Sequence, residues 1–283
     1  VTRTFRPRSL AEALDAMGAP DAVAVAGCTD LMVVDTATGR RHGAVVDLQR
    51  LPELAGVRDD GGWIDIGAAV SFSQLRREAL VAEHAPILVQ AAATIGGWQI
   101  QNRATIGGNI ANASPVGDSL PVLLALGAEL VLASSSGERR VSYADFHRGY
   151  RETVLEPGGL IVRVRVPHAL PDQFQGFKKV GTREAQAISK VVVALSARRV
   201  EVGGQEHLAD VRLGAGAVAA MPIRLRRTEA LLEGAPVGAD TATRAAREAR
   251  AEVNPIDDAR STARYRAHVL GRVVRRLVGD ISA

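Results

Sequence analysis

"TIGGNIANASPVGDSLP", residues 105–121, is the stretch on which the reading of this chain turns. Gly107 and Gly108 are adjacent, Asn109 follows them, and Asp118 and Ser119 stand just before an apolar run. Backbone without Cβ atoms can come close to a large partner, and its N–H groups can hold phosphate oxygens. The same economy recurs upstream in "VAVAGCTDLM", residues 23–32. Either loop alone reads better as a turn at a strand end than as a ligand site. Two of them, followed by Asp118, shift the reading toward places where backbone comes close to something large, such as a cofactor carrying a pyrophosphate. Neither loop matches GxGxxG or a P-loop. "GAGAVAAMP", residues 214–222, comes nearer to a dinucleotide fingerprint, but Met221-Pro222 interrupts the helix that should follow.

Working outward, Ser9 and Glu12 fit a capping box for a helix over "LAEALDAM" that stops at Gly18. "AVAVAG" reads as a buried strand, Thr29 or Asp30 caps "LMVVDTAT", and "AVVDL" is a second strand. That order predicts a small parallel α/β unit over residues 1–57. In residues 58–170, "GGWIDIGAAV" is a strand and Ser71 or Ser73 caps a helix through "QLRREAL". "PILVQAAAT" is a small-residue helix, Trp98 reads as a core residue, and Asp118 reads as the N-cap of "SLPVLLAL". "AELVLASSSGERRVSY" gives two strands around a turn, and "LIVRVRVP" alternates apolar and basic residues as a strand with one wet face. Residues 171–283 show three strands and then three helices, an α+β pattern.

Composition narrows the function. Hydrophobic residues make up 47% and charged residues 23%, which suits a globular core. No apolar run reaches the roughly 20 residues that span a bilayer. "VTRTFRPRSL" lacks the apolar core of a secretory signal, so a cytoplasmic protein is expected. Cys28 is the single cysteine, which excludes an intrachain disulfide and an iron–sulfur cluster held by this chain alone. The six histidines are scattered without metal-ligand spacing, so no metal site is expected. Lys+Arg exceed Asp+Glu by 35 to 31, an excess that reads as solvated helix faces rather than a nucleic-acid surface. With 4% aromatic residues, base-stacking platforms are poorly supplied.

"QIQNRATIGGNIANASPVGDSLPVLLALGAELVL", residues 99–132, resembles the flavin-binding region of the molybdenum hydroxylases. The closest resemblance is to the separate FAD subunit of bacterial xanthine dehydrogenase and carbon monoxide dehydrogenase type enzymes. "AGCTDLM", "VVDLQRLPELAGV", "YRETVLEPGGLIVRVRVP", "GFKKVGTREAQAISKV" and "DARSTARYRAHVL" extend the resemblance in order along the whole chain. It implies an α+β architecture: a vanillyl-alcohol-oxidase-like (PCMH-type) FAD-binding domain of two subdomains, plus a C-terminal α+β domain with an antiparallel sheet and helices. It also implies that Ala26, Gly27, Cys28, Thr29, Asp30 and Leu31 wrap the FAD pyrophosphate from one side. Thr105, Ile106, Gly107, Gly108 and Asn109 would approach it from the other. Asp118 would bind hydroxyls of the sugar-like portion, Ile161 would pack near the flavin ring, and Lys178 would lie near the cofactor, with Lys179 as its substitute. The sequence departs from the family pattern at Cys28, which stands where glycine is usual, and at Gln101 and Ala104, which stand for arginine and glycine. A positive φ at Cys28 would carry strain.

The resemblance further implies an oxidoreductase role in electron transfer. The [2Fe-2S] cluster and molybdopterin would sit on an iron–sulfur subunit and a molybdenum-binding large subunit, in a dimer of heterotrimers. FAD here would pass electrons to NAD+, oxygen or a quinone. No catalytic acid–base pair is visible, and a relay needs none. The substrate would be xanthine, carbon monoxide, or another heteroaromatic or aldehyde. A self-contained flavin oxidase and a nonenzymatic scaffold are the alternative readings; no histidine suited to covalent flavin attachment follows the first loop closely.

Overall fold

The computed structural model describes residues 2–281. The outer ends of the first and third predicted segments, residue 1 and residues 282–283, lie outside the described residues. The chain opens with β1 (Arg3–Phe5), α1 (Leu10–Met17), β2 (Ala22–Val25), α2 (Leu31–Thr38) and β3 (Ala44–Asp47). The strands form a parallel sheet in the order β1-β3-β2. Ser9 caps α1 by accepting the Glu12 N–H, as the sequence predicts. Asp30 takes the N-cap position of α2, but its side chain makes no cap bond. No residue of α2 is fully buried, and Met32 and Val33 are exposed.

The second sheet contains β4 (Val57–Asp59), β5 (Trp63–Gly67), β6 (Glu129–Ser134), β7 (Gly137–Ser142) and β10 (Leu160–Pro167). Its order is β4-β5-β10-β6-β7, antiparallel throughout. A small hairpin of β8 (His147–Gly149) and β9 (Glu152–Thr153) lies between β7 and β10. Six helices separate β5 from β6: α3 (Phe72–Leu75), α4 (Ala79–His84), α5 (Pro86–Thr94), α6 (Trp98–Arg103), α7 (Ile106–Asn112) and α8 (Ser119–Leu126).

Ser71 and Gln74 make a reciprocal capping box at α3. The helix expected through "QLRREAL" is broken, however, because the chain turns at residues 76–78 before α4 begins.

The expected wet face of "LIVRVRVP" is also corrected. β10 is the central strand, and Arg163 and Arg165 are both buried. Arg163 meets the Asp65 carboxylate at 2.7 Å. Arg165 meets Asp60 at 2.7 Å and lies over the Trp63 ring. Guanidinium–carboxylate pairing, which alternation alone does not reveal, lets charged residues occupy a covered face.

The third sheet has the order β11-β12-β13-β14, from β11 (Gln173–Val180), β12 (Val191–Val202), β13 (Gln205–Gly216) and β14 (Ile223–Arg224). α9 (Arg226–Leu232), α10 (Ala239–Glu252) and α11 (Ala263–Asp280) follow. α10 and α11 supply Ala245, Ala249, Leu270 and Val274 to a core shared with Val193, Leu195 and Leu213. α8 is buried along its whole length and packs against β12 and β13. Gly214 answers to this packing: a Cβ there would sit 2.1 Å from the Pro121 carbonyl oxygen. The glycines of "GAGAVAAMP" therefore serve close approach of β13 to α8.

Arg266 of α11 is also buried. It donates to the Lys190 and Ala217 carbonyls and pairs with Asp258 at 2.8 Å.

Candidate functional site

The two glycine loops meet where the parallel sheet faces the helices of the second subdomain. Gly27 lies against the backbone of Arg103 and Ala104, and a Cβ on it would fall 2.1 Å from the Arg103 carbonyl oxygen. Gly107 lies equally close to Ala68, whose Cβ would be 2.6 Å from the added atom. Gly27 lets the first two segments touch, and Gly107 lets α7 rest on Ala68 within the second. Gly108 differs: its Cβ would meet only Thr105 Oγ1 at 3.0 Å, and its outer side faces a cleft.

That cleft has two arms that share Ala24, Val25, Ala26, Thr105, Gly108 and Ala111. The outer arm has a volume of about 500 Å³. It is bounded by residues 26–31 on one side and by Ile95, Ile100, Asn109, Asn112 and Arg151 on the other. The inner arm has a volume of about 110 Å³ and is mainly apolar, with Leu54, Leu155, Leu160 and Ile161 in its wall.

Backbone hydrogen bonding separates the roles of the loops. In the second loop, Ile106 N–H donates to Val70, Gly107 N–H to Ala68, Asn109 N–H to the Thr105 carbonyl and Gly108 N–H to Thr105 Oγ1. Its donors are thus satisfied internally. In the first loop, the N–H groups of Gly27, Cys28, Thr29, Asp30 and Leu31 have no acceptor among the described residues. Cys28 has φ +59°, in the left-handed region, and Asp30 has φ −106°, in the right-handed region. The positive φ anticipated at Cys28 is therefore present. Burial pushes its thiol pKa up, with the Arg103 charge opposing.

Ala26 to Leu31, Thr105, Gly108 and Asn109 thus line the outer arm, Gly107 and Ile161 line the inner arm, and Ile106 is buried behind the wall.

Asp118 lines neither arm, and it makes no side-chain cap on α8. Its Oδ2 accepts from Lys179 Nζ at 2.6 Å and its Oδ1 accepts from Ser189 Oγ at 2.5 Å. Burial raises the Asp118 pKa, and Lys179 and Ser189 pull it back only in part. Lys179 also donates to the Thr94 carbonyl, next to Ile95 of the cleft wall. Ser119, next to Asp118, donates to Asn109 Oδ1 at 2.7 Å. The Asp118 cluster therefore braces the Ile95–Asn109 side of the outer arm from behind. Lys178, on the opposite face of β11, is exposed and reaches neither arm.

Trp98, expected in the core, is 69% exposed with the Arg76 guanidinium over its ring. Gln101 is the buried residue of that helix. It accepts from Arg76 and donates to the Ala93 carbonyl. Ile95, Ile100, Asn112, Arg151 and Leu155 were not identified from sequence as cleft residues. Their nearest sequence signals are the Gly96-Gly97 and Gly158-Gly159 pairs beside two of them.

Comparison with known proteins gives this geometry a setting. The family model described as the FAD binding domain in molybdopterin dehydrogenase matches residues 1–169. The model of the CO dehydrogenase flavoprotein C-terminal domain matches residues 176–281. The chain is 30% identical over 282 residues to the xanthine dehydrogenase FAD-binding subunit of Escherichia coli O157:H7, covering 98% of this chain and 95% of that one. A solved structure of carbon monoxide dehydrogenase from Hydrogenophaga pseudoflava superposes with a TM-score of 0.92 at 29% identity, over 97% of this chain and 95% of that one. Quinoline 2-oxidoreductase from Pseudomonas putida 86 gives a TM-score of 0.91 at 26% identity, over 100% and 97%.

Proposed function

This chain belongs to the FAD-binding subunits of the molybdenum hydroxylases, and from that premise we propose that it relays electrons within a multi-subunit complex. In this reading a molybdopterin subunit hydroxylates the substrate and a [2Fe-2S] subunit passes the electrons on to FAD held here. FAD then delivers them to NAD+, oxygen or a quinone in the cytoplasm. FAD supplies the chemistry: it takes up two electrons and releases them singly or in pairs. This chain supplies binding, orientation and shielding.

The observation that carries the reading is the row of unpaired N–H groups from Gly27 to Leu31 at the junction of a two-armed cleft. Anion binding at such a row suits a pyrophosphate. The small apolar arm suits adenine, and in this reading Ile161, which lines it, would pack on the adenine. The larger arm, between Ile95, Ile100 and Asn109, suits the isoalloxazine. Arg151 lines that arm, with one guanidinium nitrogen donating to Asn112 at 2.7 Å, and contributes positive charge toward the phosphates. Asp118 acts on the cleft through Lys179–Thr94 and Ser119–Asn109 rather than as a direct ligand. The exposed Met32 and Val33 on α2, beside the first loop, fit a subunit that meets partners.

The test is a visible absorption spectrum of the purified chain, alone and with its co-expressed neighbours. Flavin bands in both samples, with iron–sulfur and molybdenum signals only in the complex, are expected. A colourless chain that takes up no added FAD in either setting would overturn the proposal.

A further inference from the structure

A second concavity of about 380 Å³ lies across Thr105 from the cleft just described. Arg77, which follows α3, and Arg103, the last residue of α6, both line it. Neither arginine has a carboxylate partner among the described residues, and no aspartate or glutamate lines this basin. Its amide side chains are oriented by internal bonds. Gln74 Oε1 accepts the Ser71 N–H at 2.8 Å, which leaves the Gln74 amide nitrogen as a donor. Asn102 Oδ1 accepts from Ser73 Oγ at 2.5 Å, which leaves the Asn102 nitrogen likewise. Gln49, from the loop after β3, closes the far side.

The basin therefore presents two guanidinium groups and two amide donors with no competing negative charge. Guanidinium groups without counter-ions, one from the turn after α3 and one from the end of α6, suit a ligand carrying more than one oxyanion group. A lone phosphate would leave much of the volume to water, whereas a diphosphate can span both arginines. We propose that this basin binds the diphosphate of a nucleotide, as a site separate from the flavin cleft. It rests on the flavin reading only in that FAD, when bound, occupies the neighbouring cleft and leaves the basin open.

The experiment titrates the FAD-saturated full-length chain with ADP and, separately, with inorganic pyrophosphate, by calorimetry at low salt. Binding of both is expected, each competing with the other. Arg77→Gln and Arg103→Gln should each weaken it several-fold. The double variant should weaken it by more than tenfold, and Arg77→Gln, at a residue that lines the basin and neither arm of the cleft, should leave flavin absorbance per chain unchanged. Absent binding, or binding undiminished in the double variant, would overturn the proposal. So would loss of FAD in parallel with loss of ADP, because the basin would then be part of the flavin cleft. If the double variant binds no less ADP but fails to assemble with its partner subunits, the arginines serve carboxylates of a partner and the nucleotide assignment falls. A chain that takes up no FAD yet binds pyrophosphate through both arginines would remove the flavin reading and leave the basin standing.

Discussion

The Asp118–Lys179 pair is buried on both sides, with side chains 8% and 7% exposed and a separation of 2.6 Å. Replacing Asp118 by Asn leaves an ammonium group facing an amide nitrogen or a neutral oxygen. Replacing Lys179 by Met leaves a buried carboxylate with only Ser189 beside it. Removing one partner of a buried pair costs about 3–5 kcal/mol. For a chain of this size that corresponds to a fall in melting temperature of about 6–20 °C. The direction of the Asp118 shift gives the other half of the prediction. Its pKa in the fold is raised by burial above the ordinary value of 3.8, despite Lys179. A raised carboxyl pKa favours the fold below the unfolded pKa, and that contribution is lost as pH rises through the folded value. At neutral pH the ionised pair is then not a net source of stability. Asp118→Asn with Lys179→Met should recover to within about 2 kcal/mol of the parent, where additive losses would total about 6–10 kcal/mol. Urea denaturation followed by circular dichroism measures all four corners of the cycle. FAD titration of the double variant should give a Kd within about threefold of the parent. Single losses below about 1 kcal/mol, or strict additivity, would refute the burial argument. A loss of FAD affinity beyond tenfold, about 1.4 kcal/mol, would show that Asp118 touches the cofactor directly.

Gly108→Ala should leave stability unchanged or raise it by up to about 1 kcal/mol, because alanine is the better helix former, while weakening FAD binding at least tenfold. Gly27→Ala should instead destabilise the chain by about 3 kcal/mol, since its Cβ would collide with backbone; paired denaturation and flavin titrations separate the two. His147 is held neutral by burial, which lowers its pKa to about 4, so the unfolded state binds more protons between about pH 4 and 6.5. Stability should therefore fall by about 2 kcal/mol from pH 6.5 to 4.5, and His147→Gln should flatten that slope in denaturation midpoints. Cys28, the one thiol in the chain, lines the outer arm with a raised pKa. Alkylation by iodoacetamide should be slow at neutral pH, accelerate toward pH 9, and be suppressed by saturating FAD, as followed by intact mass.

Much of this architecture was legible because the local signals are chemical. Ser9 before Glu12, Ser71 before α3 and Gly18 after α1 mark helix ends by hydrogen-bonding capacity or backbone freedom. The parallel opening unit followed from strand–helix–strand order, and the last domain from its run of strands followed by a run of helices. What escaped was settled across long sequence separations. Arg163 looked wet because its carboxylate partner, Asp65, lies on another strand. Trp98 looked buried because its size suggests a core, whereas Gln101 holds the inner face of the same short helix. Asp118 looked like a cap because it precedes a helix, but Lys179 and Ser189 come from the other domain. Lys178 and Lys179 were distinguishable in sequence only as opposite faces of a strand, and the strand register decided which one is buried.

The two glycine loops look alike in sequence yet answer to different physical demands. The second is a wall: its N–H groups are satisfied within the fold, and Gly107 is small so that α7 can rest on Ala68. The first is the donor surface, and its shape depends on a left-handed residue at position 28. A cysteine there carries about 1–2 kcal/mol of backbone strain that glycine would avoid. Strain of that size persists where the surrounding structure holds the backbone in place. Here Gly27 is pinned against Arg103 and Ala104 on one side, and α2 begins at Leu31 on the other, so the intervening residues have little freedom to relax. The geometry of the donor row is thus set by the junction of the subdomains rather than by the identity of residue 28. That accounts for how an L-residue can stand in a loop whose N–H groups remain unpaired within the fold.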